Sequence, residues 1–362
     1  MMTPSTPLLL IRAGRREDQA AILALIAEVF GKEEAERAGR RWDWQWHQDP
    51  RLKIPGYSGV VAEWDGQLVA AIGCIPAGLY LKGAAVEAFW FADALAHWGL
   101  IRKAMRAARK AGGQLTGADL SKGVVGALLN DPAAGVYQLG KHLTDPMAVV
   151  AYKIGSADFL GTGSFTRLLT FRQPISKILG KPLGLFLGWW ADWFVRGLPK
   201  PTRAVRVLEG DFDERFDALF ENARRIHPAI TRRDREVLQW RYRQHPDTAY
   251  EVMVAEDEGA LEGYLVVTTF HRHGQFRAHI LDLLARDDDP LVLDALLVFA
   301  LRSLKKAAVH RVECYTGGKA VVAALKRLTF KERLKDGRPI STLVRRIVTD
   351  ELYITRGDGD GG

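Results

Sequence analysis

The chain has 362 residues, 48% of them hydrophobic and 26% charged, with a formal net charge of +8. This balance excludes a disordered or collagen-like chain and leaves room for two cores, while the positive excess favours an anionic partner without choosing among coenzyme, nucleic acid and lipid. Cys74 and Cys314, with no CxxC or histidine spacing around them, exclude a disulfide framework and a zinc site and read as reduced thiols.

In chain order, the apolar run at 8–11 is too short for a signal peptide and predicts a first strand. Ile22, Leu25, Ile26 and Val29 recur at helical spacing, with Glu17 and Asp18 suited to the first turn. A second helix carries Trp42, Trp44 and Trp46, which at i, i+2 spacing cannot share one helix face. Trp44 is assigned to packing in the core or between domains. Trp42 and Trp46 are candidates to line an acceptor site. Strands over 57–64 and 68–81 flank Asp65-Gly66, a tight hairpin signal. A strand over 86–95 leads into a helix over 100–111. A strand at 115–118, a helical region reaching Tyr137 and a strand at 148–154 complete this half.

Residues 156–204 are rich in Gly, Pro and Arg/Lys and contain an amphipathic helix with Trp189, Trp190 and Trp193. Such a helix packs between domains or lies on a membrane surface as a peripheral contact. The longest apolar stretch, 183–195, is interrupted by Asp192 and falls short of the ~20 residues a spanning helix needs.

Beyond this stretch the chain repeats itself. WQWHQDP around Trp44 returns as WRYRQHP around Trp240; Tyr57, Val61, Ala62 and Glu63 return as Tyr250, Val254, Ala255 and Glu256; Gly66 and Leu68 return as Gly259 and Leu261. An offset near 195 residues is far above the roughly 20–50 of solenoid repeats, so the unit is a domain. The expected division is a domain at 1–155, a partly helical linker at 156–204, a second domain at 205–350, and a tail at 351–362 whose GDGDGG end reads as disordered.

The order of elements, with the segments IRAGRREDQAAILALIAEVF and AEWDGQLVAAIGC, resembles the GNAT acyltransferase superfamily in a tandem arrangement. Asn130, Ala133 and Tyr137, followed by Gly140, resemble the family's late NxxAxxxY helix and glycine turn. LDLLARDDDPLVLDALLVFALRSLKKAAVHRVECYT resembles the matching part of the second copy. The resemblance implies an α/β fold with a mixed sheet in each half and acetyl-CoA, or another acyl-CoA, as co-substrate. It also implies an amine, amino-sugar or peptide acceptor.

In the family the coenzyme pyrophosphate sits where the central strand turns into a helix, on backbone N–H groups at the positive end of the helix dipole. That turn here is His97, Trp98, Gly99, Leu100 and Ile101, with one glycine, followed by Arg102 and Lys103 in the first helical turn. Cations there are disfavoured by roughly 0.3–1 kcal/mol each, and an anion in front of the helix relieves this. The equivalent turn in the second copy, Arg286-Asp287-Asp288-Asp289-Pro290, has good helix-start chemistry, but its carboxylates repel a pyrophosphate. The second copy is therefore expected to be a pseudo-domain.

Acyl transfer from a thioester needs an amine that loses a proton, a stabilised oxyanion and a protonated leaving thiolate. The resemblance assigns the acid to Tyr137 and coenzyme contact to Asn130. Asp93 is the best-placed carboxylate for a general base, with Glu87 second and His97 an alternative. No metal cluster, GxSxG elbow or P-loop occurs, and the basic residues form no recognisable nucleic-acid module. The expectation is a cytoplasmic N-acyltransferase, monomer or homodimer, with its coenzyme in the first copy. The alternative is a catalytically inactive binding or scaffold protein tied to envelope or polysaccharide metabolism.

Overall fold

The computed structural model describes most of residues 9–96, then 137–140, 158–160, 163–170, 203–335, 338–339, 342–345 and 352–358, with isolated positions elsewhere. In the first copy β1 (Leu9–Ala13) precedes α1 (Gln19–Phe30) and α2 (Lys32–Trp46). Strands β2 (Gly59–Trp64) and β3 (Gln67–Pro76) form the hairpin expected at Asp65-Gly66, with Gly66 at a φ of 76°. The strand expected over 68–81 is broken at Gly78, where φ is 59°. Beyond it β4 (Leu79–Leu81) and β5 (Ala84–Val86) make a separate hairpin before β6 (Ala88–Ala96).

Next come β7 (Tyr137–Gly140), β8 (Asp158–Leu160), β9 (Gly163–Leu168) and β10 (Val205–Val207). The second copy follows in the expected order: α3 (Glu214–Ile226), β11 (Ala229–Thr231), α4 (Arg235–Tyr242), β12 (Glu251–Asp257), β13 (Ala260–Arg272), β14 (Gln275–Ala285), α5 (Pro290–Lys306), β15 (Arg311–Thr316) and α6 (Lys319–Arg327). Short strands β16 (Lys331–Glu332), β17 (Leu334–Lys335), β18 (Arg338–Pro339) and β19 (Thr342–Arg345) end the series.

Two seven-stranded mixed sheets result, β1-β2-β3-β6-β7-β19-β8 and β10-β12-β13-β14-β15-β9-β16. Place by place they are the same sheet, which is the structural form of the sequence repeat. The sixth place in each is filled from the opposite half: β19 pairs with β7 and β8, and β9 pairs with β15 and β16. The boundary expected at 155 is thereby corrected. Residues 156–204 hold two sheet strands: a cut at 155 would break the β7–β19 ladder of the first sheet, and a cut at 204 would break ladders in both sheets. Trp189, Trp190 and Trp193 lie outside the described residues, while Leu183 and Phe186 are exposed.

Each copy has its own core, built from the faces that the sequence periodicity marked. In the first, Ile22, Leu25 and Ile26 of α1 pack with Trp42 and Trp46 of α2 against Val61, Leu68, Ala71, Ile75 and Leu95. Trp42 and Trp46 are 4% and 1% exposed, so their contacts are with the protein interior and the acceptor-lining role is not where the fold uses them. Trp44 points the other way, to its own repeat. Its ring stacks on that of Trp240 at 4.5 Å and 9°, and each indole N–H donates to the other's backbone carbonyl at 2.9 Å.

This reciprocal contact, residue i on j and j on i, is the signature of a two-fold interface, here internal to one chain. Arg51, held by Asp49, lies 4.9 Å over the Trp240 ring, and His245 meets the edge of Trp44. Trp44→Ala and Trp240→Ala are each expected to cost about 3–5 kcal/mol, as for large aromatic truncations. The double variant should cost less than their sum by about 0.5–1.5 kcal/mol, the worth of a stacked pair. A double-mutant cycle by urea denaturation checks this, and simple additivity would remove the coupling.

Candidate active site

β6 and β7 run parallel and pair from Ala88↔Tyr137 to Trp90↔Leu139, and β6 then continues to Ala96. In the second copy β14 and β15 pair from Arg277↔Arg311 to Ile280↔Cys314, and β14 continues to Ala285. Parallel strands whose ladder stops before the strand does leave a gap at their carboxyl ends. A ligand placed there meets backbone donors and acceptors that no neighbouring strand has claimed.

The second gap is filled by the chain itself. The first part of the segment set apart as a tail forms a wedge over Leu352–Thr355, followed by a 3-10 turn at Arg356–Asp358 that takes in the first two residues of the GDGDGG end. Alternation explains how it fits. Leu352 and Ile354 join Ala77, Leu79 and Trp90 of the first copy and Ala229 and Tyr315 of the second. Tyr353 and Thr355 point the opposite way, into the β14–β15 gap. The Tyr353 hydroxyl donates to the Leu283 carbonyl, and its ring lies so close to Gly318 that a Cβ there would come within 2.7 Å. Gly317 donates its N–H to Ile354 O at 2.9 Å, and Thr355 bridges to Thr316.

Below the wedge lies a buried ionic group that the sequence did not announce. Asp282 accepts from Arg233 Nε at 3.1 Å, the Tyr264 hydroxyl at 3.0 Å, its neighbour Leu283 N at 3.0 Å and Thr355 Oγ1 at 3.2 Å. Arg233 also donates to Asp358, and Arg241 approaches Asp358 at 3.6 Å. Burial pushes the Asp358 carboxyl up, but Arg233, Arg241 and the Thr231 and Thr355 hydrogen bonds outweigh it and hold the group below the usual carboxylate range.

Asp93 is the first copy's counterpart of Asp282. The pairs Ala70↔Ala96 and Gly263↔Ala285 are equivalent, and counting back along Asp-x-Leu-Ala brings Asp93 onto Asp282. Both lie at an irregularity in the antiparallel register, where β3 meets β6 and where β13 meets β14. The groups that hold Asp282 are not repeated around Asp93. Tyr242 becomes Trp46, Tyr264 becomes Ala71, and Arg37, in the place of Arg233, pairs instead with Glu33 and Glu34 on an exposed helix face. This aspartate repeat was readable in the sequence, but it carries meaning only once the register is known.

The remaining expected site residues divide clearly. His97, Trp98, Gly99, Leu100, Ile101, Arg102, Lys103 and Asn130 lie outside the described residues. Tyr137 was expected on a helix and instead opens strand β7, level with Ala88. Five positions along β6 separate that level from Asp93, roughly 16 Å at the usual strand rise, so the two do not meet at one reacting carbonyl. In the second copy the expected helix start is found: Asp289 caps α5 by accepting from Leu291 N at 2.8 Å, with Pro290 at the first position. Asp287 and Asp288 hold positive φ values of 51° and 55° in front of it.

Cys74 and Cys314 are both buried, and burial pushes the Cys314 thiol up to about 12. Among the described residues no group of three metal-ligating side chains occurs, and no helix is long and apolar enough to cross a membrane.

No family profile and no curated protein matches this sequence. Solved structures do match its shape. A conserved protein from Enterococcus faecalis V583, described as a probable N-acyltransferase, aligns with a TM-score of 0.59 at 12% identity, covering 94% of this chain and 72% of that one. A GCN5-related N-acetyltransferase from Anabaena variabilis aligns with a TM-score of 0.59 at 10% identity, over 93% and 72%. The N-myristoyltransferase of Saccharomyces cerevisiae, solved with bound myristoyl-CoA, aligns with a TM-score of 0.52 at 13% identity, over 96% and 84%. Two mixed sheets of the same strand order, and this likeness along nearly the whole chain, give the protein a GNAT-like fold.

Proposed function

We propose that the protein is an acyl-CoA-dependent N-acyltransferase that works from its first copy and uses the second as a wall and brace. The observation that carries this reading is the asymmetry between equivalent places in the two sheets. The second gap is occupied by Tyr353, and its aspartate is tied to Arg233. The first copy repeats Asp93 without the residues that neutralise Asp282.

Acyl-CoA would lie with its pyrophosphate at 97–103, with Arg102 and Lys103 as its countercharges, and its thioester beyond Trp90. The acceptor amine attacks the thioester carbonyl and loses a proton, the C–S bond breaks, and the thiolate takes up a proton. Asp93 stands at the height of the gap and is the base in this scheme. Tyr137 stands a strand-length lower, which argues against its serving the same carbonyl as acid.

The test begins with calorimetric titration of acetyl-CoA, desulfo-CoA and 3′,5′-ADP, followed by thiol-release assays on a panel of amines, amino sugars and peptides. One site per chain is expected, lost in Arg102→Glu with Lys103→Glu. Asp93→Asn is expected to lower kcat/KM by about 10²–10⁴ with coenzyme affinity unchanged, and Tyr137→Phe to leave it near wild type. Absence of coenzyme binding at millimolar concentration would favour the scaffold reading.

A further inference from the structure

Arginines in the second copy are mostly neutralised by a carboxylate of their own. Arg206 and Arg215 grip Glu256, Arg327 grips Asp294, and Arg233 lies between Asp282 and Asp358. One half-face of the second sheet breaks this pattern. Cross-strand partners share a face, so the register puts Arg277 beside Arg311, and His279 in one row with Glu313, Thr166 and Lys331. Arg333, just after β16, and Arg356, in the 3-10 turn, approach the same place.

Four guanidinium groups, those of Arg277, Arg311, Arg333 and Arg356, thus gather around one described carboxylate, Glu313, with Arg272 further out on the exposed end of β13. It holds them loosely, with Arg333 at 3.4 Å, His279 at 3.6 Å and Arg277 at 3.9 Å. The Nε–H groups of Arg311 and Arg356 are buried without a hydrogen-bond partner. Unpaired buried donors on a cation are costly, and fixed like charges at this spacing repel unless an anion joins them.

The electrostatics agree with the geometry. Burial, then neighbouring cations, push the Arg311 guanidinium down. Arg356 and His279 are pushed down too, by burial first and by Arg272 among the neighbours. Glu313 is held down at about 2, first by its hydrogen bond with His279 and then by Arg333 and Arg277. It is therefore fully charged at neutral pH and still leaves the excess uncompensated.

We propose that this half-face binds a ligand carrying two or more phosphate charges, gripped by Arg277, Arg311, Arg333 and Arg356. Guanidinium forks match oxyanions in bidentate fashion. The excess of cations calls for several negative charges in a small space, which phosphate supplies and a single carboxylate does not. Arg277 and Arg311 lie where β14 and β15 begin, at the end of the parallel pair opposite the turn at Asp287–Asp289.

The test is calorimetric titration of the full chain with inorganic pyrophosphate at low ionic strength. Saturable binding at one site per chain is expected. Arg333→Gln, at a half-exposed position that tolerates change, should weaken it about tenfold, and Arg311→Gln in addition should weaken it further. Glu313→Gln should tighten it, a sign that mere unfolding does not produce. Because the coenzyme turn is itself a proposed pyrophosphate position, these titrations are made in the Arg102→Glu, Lys103→Glu background, and circular dichroism confirms that each variant is folded.

Vesicles of phosphatidylcholine with phosphatidic acid, whose phosphomonoester can carry two charges, distinguish the source of the phosphate. Co-sedimentation reversed by pyrophosphate identifies a lipid headgroup, and pyrophosphate binding without co-sedimentation identifies a free phosphate compound. The proposal is overturned by lack of saturation, by unchanged affinity in the Arg311/Arg333 double variant, or by tighter binding of polyglutamate than of pyrophosphate.

Discussion

Arg233→Ala is expected to destabilise the second copy by about 3–5 kcal/mol, the cost of leaving buried carboxylates without their cation. Arg233 and its partners Asp282 and Asp358 are each 1% exposed, so water cannot take over the role of the guanidinium. After truncation, Asp358 keeps one cation, Arg241 at 3.6 Å, with its hydrogen bonds from Thr231 and Thr355, and Asp282 keeps neutral donors. Arg233→Lys should recover only part of the loss, because one ammonium cannot present a planar fork to two acids and to Thr231 O at once. Urea denaturation monitored by tryptophan fluorescence measures both.

The pH dependence gives a second readout with a definite sign. The wild-type Asp358 carboxyl is held below its unfolded value, so its contribution is present above about pH 4 and is lost as pH falls through the lower folded value. Without Arg233, burial dominates and lifts the same carboxyl above its unfolded value. The penalty of the variant should then shrink on acidification from pH 7 to 5. A penalty independent of pH would show that the ion pair is not its cause.

Tyr353→Ala is expected to cost a similar 3–5 kcal/mol, for a different reason. The side chain is fully buried and fills the gap that β14 and β15 leave open, against Gly318 and the ring of His227 at 4.3 Å. Its backbone also ties into β11, with Tyr353 N donating to Ala229 O at 2.7 Å. Tyr353→Phe keeps the volume and loses only the bond to Leu283 O, so it should cost about 1–3 kcal/mol. If alanine and phenylalanine were equally harmful, the filled gap would not be the source of the stability.

Much of this architecture was legible in the residues. The hairpin at Asp65-Gly66, the buried faces of α1 and α2, and the cap at Asp289 follow from local rules, in which neighbours a few positions apart settle the outcome. Trp44 and Trp240 were visible as a repeat. Their i, i+2 neighbours were enough to say that Trp44 faces away from Trp42 and Trp46.

What escaped was every feature that depends on distant segments meeting. The wedge over Leu352–Thr355 ends in Gly- and Asp-rich sequence that looks like a solvated tail. It is ordered by partners at Ala229, Leu283 and Thr316, contributed from far upstream. Tyr137 carried a helix-like motif, yet a parallel ladder with Ala88 makes it a strand, because pairing with a neighbouring strand overrides a short local pattern.

From the sequence alone came the duplication, its register, and the contrast between Arg102-Lys103 and Asp287-Asp288-Asp289, since these are comparisons of one stretch of residues with another. The tertiary structure decided the exchange of β9 and β19, the closing of the second gap, and the burial of Asp282 between Arg233 and Thr355. Burial and charge compensation are properties of neighbours in space, and a chain that folds back across some two hundred positions does not write those neighbours side by side.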